Sequence, residues 1–176
     1  MKITNKLFSL LTVLALMLAG TSPVYAAQTD INGPAGSGAF GTTVTALPNG
    51  NFVVTDPTYS IPSGAANVGA VYLYDGATLT VISTLTGSTA GDQVGSSGIT
   101  VLTNGNYVVQ SPNWDNPTGP IADVGAVTWG NGTGGTVGLV TSGNSLVGGA
   151  AGDNVGFSGL GISGATALTN GNYVVG

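Results

Sequence analysis

The sequence predicts an all-β fold built from repeats of four antiparallel strands. Three features predict it. The phrase "LPNGNFVV" at 47–54 returns as "LTNGNYVV" at 102–109 and again at 168–175. Short runs rich in Val, Ile and Leu, in a chain that is 42% apolar, alternate with segments rich in glycine. That alternation is the pattern of many short strands joined by tight turns. No stretch after the first 26 residues carries a helical period.

Residues 1–26 read as a secretory signal peptide. Lys2 and Lys6 form a basic start, the run 7–20 is apolar apart from Ser9 and Thr12, and Val24-Tyr25-Ala26 offers a cleavage site. The run is shorter than the roughly 20 residues that span a bilayer, so no membrane insertion is expected after cleavage. The absence of Cys excludes a lipid anchor at that position. Residues 27–36 read as a linker.

Repeat 1 covers 37–90. Its first two strands, 42–47 and 51–55, flank Asn49-Gly50, a strong short-hairpin signal that predicts a type I′ turn. A third strand at 69–74 leads through Asp75-Gly76, a turn predicted to be of the same kind, into a fourth at 79–85. Repeat 2 covers 91–151, with strands expected at 98–103, 106–110, 124–129 and 136–141. Asn104-Gly105 forms its first turn, and a looser turn is expected at 130–135, "GNGTGG". A third repeat starts within 152–176 around Asn170-Gly171. The period is 55 residues from Asn49 to Asn104 and 66 from Asn104 to Asn170, in the range of propellers, solenoids and arrays. The chain accordingly reads as two units and the start of a third, a fragment of a longer protein whose further blades would be its natural partners. Assembly of several short chains is the alternative.

The strands are apolar on both faces. In "NYVVQ", Tyr107 and Val109 point one way and Val108 the other. A sheet buried on both faces needs a neighbour on each, which stacked propeller blades supply and a two-sheet sandwich does not. The fold class is therefore a partial β-propeller of two blades plus the start of a third, with a β-solenoid as the alternative.

The quoted motifs resemble the FG-GAP repeats of integrin-α-like β-propellers. Phe40-Gly41 stands at the Phe-Gly position, with Val94-Gly95 and Val155-Gly156 as weaker equivalents. Asp56-Pro57 and Ser111-Pro112 stand at the Ala-Pro position, and "GAVYLYDG" (69–76) is similar to the third strand and its turn. More narrowly, the units resemble a repeat of unknown function in large secreted bacterial proteins, some similar to filamentous haemagglutinin adhesins. The resemblance covers about 37–176. It implies a secreted or cell-surface location. The calcium loops of integrin-type blades are not implied here. At that place stands "LPNGN" or "LTNGN", without the anionic oxygens calcium takes. No metal or other cofactor is expected.

After residue 26 the only charged side chains are seven aspartates: 30, 56, 75, 92, 115, 123 and 153. With nothing to neutralise phosphate, nucleic acid is excluded as a partner. With no His, Cys, Lys or Glu, nucleophile–base sets and imidazole or thiolate metal sites are excluded. A carboxylate pair, Asp92 with Asp153, is the one enzymatic arrangement left open, an Asp-dependent glycoside hydrolase. Because the two recur once per repeat before Val-Gly, they fit a structural turn better. The expected function is a non-enzymatic structural or adhesive segment. The alternative is a glycan- or protein-binding propeller acting through loops 57–67 and 112–123, with Tyr59, Trp114, Asp115 and Asp123 as contact candidates.

Overall fold

The computed structural model describes residues 28–159, 161 and 163–176; the predicted signal peptide lies outside them. The chain divides into two units, residues 1–31 and Asn32–Gly176. Of the first, residues 28–31 are described, without a regular element. Among its described residues the second holds eleven strands and no helix.

Repeat 1 forms one antiparallel meander: β1 (Val44–Ala46), β2 (Phe52–Asp56), β3 (Ala70–Tyr74) and β4 (Val81–Thr86). Repeat 2 opens in the same way with β5 (Ile99–Val101), β6 (Tyr107–Ser111) and β7 (Ala126–Gly130). The prediction departs at the next strand. Residues 136–141 do not close the second sheet. Within them β8 (Gly138–Leu139) pairs parallel with β4 of repeat 1, Leu85 opposite Gly138. The fourth strand of repeat 2 is β9 (Ser145–Val147), antiparallel to β7 with Ala126 opposite Val147. The physical reason is a short insertion. Equivalent positions lie 56 residues apart at the turn before this strand (Asp75 and Asn131) and 61 apart after it (Asp92 and Asp153). The extra residues reach across to the neighbouring sheet edge before the chain returns to its own. Repeat 3 contributes β10 (Ala165–Ala167) and β11 (Tyr173–Val175), an antiparallel pair.

The turns also differ from the expectation. At Asn49-Gly50 the loop is a three-residue connection. Gly50 N–H donates to Leu47 O (3.0 Å), Leu47 N–H donates to Asn51 O (2.8 Å), and only Gly50 is left-handed, at φ 90°. This is a type I turn followed by a left-handed glycine, the common three-residue hairpin. Pro48 at the first turn position holds φ near −65° and is incompatible with type I′. The loops at Gly105 and Gly171 repeat it.

The Asp75-Gly76 turn is longer than a two-residue hairpin. Leu79 N–H donates to Asp75 O (2.8 Å), and Asp75 Oδ1 accepts from the amides of Ala77 (2.9 Å) and Thr78 (2.8 Å). The segment 131–135 is the same turn rather than a looser one. Gly135 N–H donates to Asn131 O (2.7 Å), and Asn131 Oδ1 accepts from Thr133 (2.8 Å) and Gly134 (3.0 Å). Asn131 simply stands in for Asp75.

Both faces of the sheets are used. Val53, Val71, Leu73 and Leu85 of repeat 1 pack against Tyr107, Val109 and Ala126 of repeat 2 in one core. The opposite face of repeat 2, with Val108 and Val127, packs with Leu102 and Ala165 in a second core. Tyr107, Val108 and Val109 are therefore all buried, although they point alternately to the two sides.

Candidate functional site

The residues picked out by the sequence fall into two groups, the repeated turns and the loops after the second strands. Their surroundings are built by a segment the sequence shows twice per repeat. Asn67, Gln93, Asp123 and Asn154 are all left-handed, with φ between 44° and 52°, and each precedes Val-Gly. These segments pair with one another. Gln93 N–H donates to Asn67 O and Val94 N–H to Val68 O, both at 3.1 Å; Asn154 and Val155 repeat this on Asp123 (3.0 Å) and Val124 (3.1 Å). The buried valines, Val68, Val94 and Val124, are fully enclosed. At Gly69 and Gly125, both left-handed, a Cβ would collide with the backbone of Val94 and Val155 respectively. The junction thus requires glycine at these two positions.

Asp92 sits in this junction, fully buried. Its Oδ2 accepts from the amides of Ser88 and Thr89, both at 2.8 Å, and its Oδ1 from the amide of Asp115 at 3.0 Å. Burial raises its carboxyl above the ordinary carboxylate range, against the opposing effect of those amides. Asp153 holds the amides of Gly149 and Ala150, again at 2.8 Å, and is exposed. The two aspartates occupy equivalent places in successive units, each holding the end of the repeat before it, rather than two sides of one site. Asp56, also fully buried, accepts from Ala39 N–H at 2.8 Å.

Asn49 donates through Nδ2 to Gly132 O (2.8 Å), and Asn51 joins it at the same oxygen (3.0 Å), tying the first turn of repeat 1 to repeat 2. Asn104 ties repeat 2 to repeat 3 through Gly171 O (3.1 Å). Asn170 Oδ1 accepts from Asn172 N–H (3.0 Å), closing its own turn.

The four contact candidates do not form one surface. Trp114 is fully buried and belongs to the core shared by repeats 1 and 2. The expected aromatic at the rim is an interior side chain, because its loop folds back: Gly125 N–H donates to Trp114 O at 3.0 Å. Tyr59 is half-buried, and its carbonyl accepts the equivalent bond from Gly69 at 3.1 Å. Asp115 Oδ1 accepts from Asp123 N–H at 2.8 Å and so closes the 112–123 loop. Asp123 is exposed, and its place is explained by the left-handed backbone that Asn and Asp tolerate.

The cavity beside this loop, lined by Asp115, Asn116, Pro120 and Ile121 among others, measures about 130 Å³, below the roughly 300 Å³ of ordinary small-molecule sites. Among the described residues no cluster of three or more His, Cys, Asp or Glu side chains is placed to hold a metal ion. Sequence reasoning missed the paired x-Val-Gly junctions. Their signal was present, since "NVG" and "DVG" precede the third strands and "QVG" and "NVG" open the next repeats.

No curated protein and no solved structure matches the chain. A family model, the repeat of unknown function DUF5650, matches residues 46–96 and again 101–157, together more than half of the chain. The two matches start at the ends of the first strands, one in each of the two sheets, and each runs through to the Val-Gly that opens the next repeat. Sheet, junction and match keep the same period, and the chain belongs to the DUF5650 repeat family.

Proposed function

We propose that the chain is a non-enzymatic structural or adhesive repeat segment of a larger secreted or cell-surface bacterial protein, with its repeats stacked as blades in the manner of FG-GAP propellers and related to the repeats of haemagglutinin-like adhesins. One observation carries the non-enzymatic part: the carboxylates are engaged by the backbone. Asp56, Asp75, Asp92, Asp115 and Asp153 each accept main-chain N–H bonds. A carboxylate held this way fixes a turn and is poorly placed to exchange protons with a substrate. The secreted location rests on the basic and apolar pattern of residues 1–26.

Fractionation of expressing cells tests the location. The expected result is protein in the medium, or on the surface where added protease reaches it, with a mature N-terminus at Ala27. Cytoplasmic retention with Met1 intact overturns it. Binding through loops 57–67 and 112–123 has weaker support, because the Trp114 ring lies in the core and the adjoining cavity is small.

A further inference from the structure

Successive sheets of this chain meet through one repeated interface, and its second occurrence is only half covered. On the face of repeat 1 turned toward repeat 2, Val53 stands opposite Leu73, and Val71 opposite Leu85. All four are buried, at 0, 0, 2 and 3% exposure. The equivalent face of repeat 2 carries Val108 opposite Trp129, and Val127 opposite Leu146. Val108 and Val127 are fully buried, under β10 and β11. Trp129 is 40% exposed and Leu146 is 52% exposed.

The difference lies in what covers each pair. Over Leu73 and Leu85 lie elements from the outer half of repeat 2: Ala126 of β7, the turn at Gly135, and Val140, which is 1% exposed. Repeat 3 brings the first two strands only among the described residues. A second gap lies at the same junction. Beside Asp92 the next loop fills the space, with Asp115 N–H on Oδ1 and Asn113 Nδ2 donating to Gln93 Oε1 at 2.7 Å. Beside Asp153 and Asn154 there is instead an open cavity of about 310 Å³, bordered by the half-exposed ring of Phe157 and by Gly176.

We infer that the Trp129–Leu146 face is a docking site for the third- and fourth-strand hairpin of another repeat of this same type. The hairpin lies against the free edge of β11, as β7 lies against β6, and its small apolar third strand covers Trp129 as β7 and Gly135 cover Leu73. The occupant is specified by the established interface. It carries Val-Gly-Ala-Val, so that a left-handed glycine enters the junction and an alanine the core, followed by the capped turn of Asp75 or Asn131. The inference deepens the stacked-repeat reading above and rests on it.

A peptide of residues 66–86, the chain's own hairpin of this kind, contains no Trp and is the probe. It is added to the purified full chain while acrylamide quenching of tryptophan fluorescence is followed. Trp114 is fully buried already, so quenching reports Trp129. The expected result is a saturable, severalfold fall in quenching with a blue shift, absent with a scrambled peptide. Leu146→Asp, at an exposed position, should keep the melting temperature and lose the protection. Unchanged quenching at saturating peptide, or an equal effect of the scrambled sequence, overturns the inference. So does quenching of the chain alone that falls with its own concentration, which would make a second copy the occupant. Failure of the peptide on a chain that still unfolds in one step removes the docking site and leaves the stacked repeat; loss of that single step removes the stacked repeat itself.

Discussion

Asn67, Gln93, Asp123 and Asn154 hold left-handed backbones where most side chains resist them. The glycines two residues later leave no room for a Cβ. Gly69→Ala should therefore lower stability by about 2 kcal/mol or more, from left-handed strain plus collision with the Val94 backbone. Urea unfolding midpoints measure this. Asp123→Asn should be neutral while Asp123→Val costs about 1–2 kcal/mol, since only the backbone conformation is at stake. Millimolar calcium should leave both midpoints unchanged.

Two other aspartates should respond to pH in opposite directions. Burial raises the Asp92 carboxyl, so the folded state binds its proton more tightly than the unfolded chain does. That stability is fully present below the unfolded value of about 3.9 and is lost as pH rises through the raised native value. Backbone N–H bonds from Thr78 and Ala77 lower the Asp75 carboxyl, whose contribution is present above about 3.9 and is lost as pH falls through the lowered value. Thermal melts against pH separate the two. Relative to Asp92→Asn the wild type should gain on acidification, and relative to Asp75→Asn it should lose. The turn role of Asp92 was legible from its position before Val-Gly. Its amide bond from Asp115, 23 residues further on, was not, because nothing local marks a contact at that separation.

At the scale of elements, the hairpins were legible because alternation and turn residues are local signals. The type of turn was misjudged. Asn-Gly favours type I′, but Pro48 and the extra loop residue select the three-residue form. The fourth strand of repeat 2 was misplaced for a different reason. Residues 136–141 have the apolar content of a strand, and part of them is one, but in the sheet of repeat 1. Counting back from Asp92 and Asp153 aligns Leu85 with Leu146 and finds the true strand. The inserted segment should act as a clasp between sheets. Val140→Ala should cost about 1.5–3 kcal/mol, as expected for a buried valine, whereas Val137→Ser at 74% exposure should stay within about 0.5 kcal/mol. Equal effects at the two positions would mean that β8 does not lie against β4.

Over the whole molecule, stability is distributed between neighbours, as in other stacked repeats. Trp114 shows how this limits a reading of loops from sequence alone. An aromatic in a variable loop has the profile of a contact residue, yet here it is drawn into the core shared by two sheets. Repeats 1 and 2 share that core, so neither sheet can open without exposing the other. Repeat 3 adds a hairpin to a smaller core whose outer half is uncovered. Hydrogen exchange resolved along the chain tests this arrangement most directly. The amides of β2, β3, β6 and β7 should exchange together at the highest opening free energy, while β10 and β11 exchange earlier. Separate opening of the first two sheets, with β2 and β3 exchanging at a free energy distinct from β6 and β7, would contradict a core shared by repeats 1 and 2.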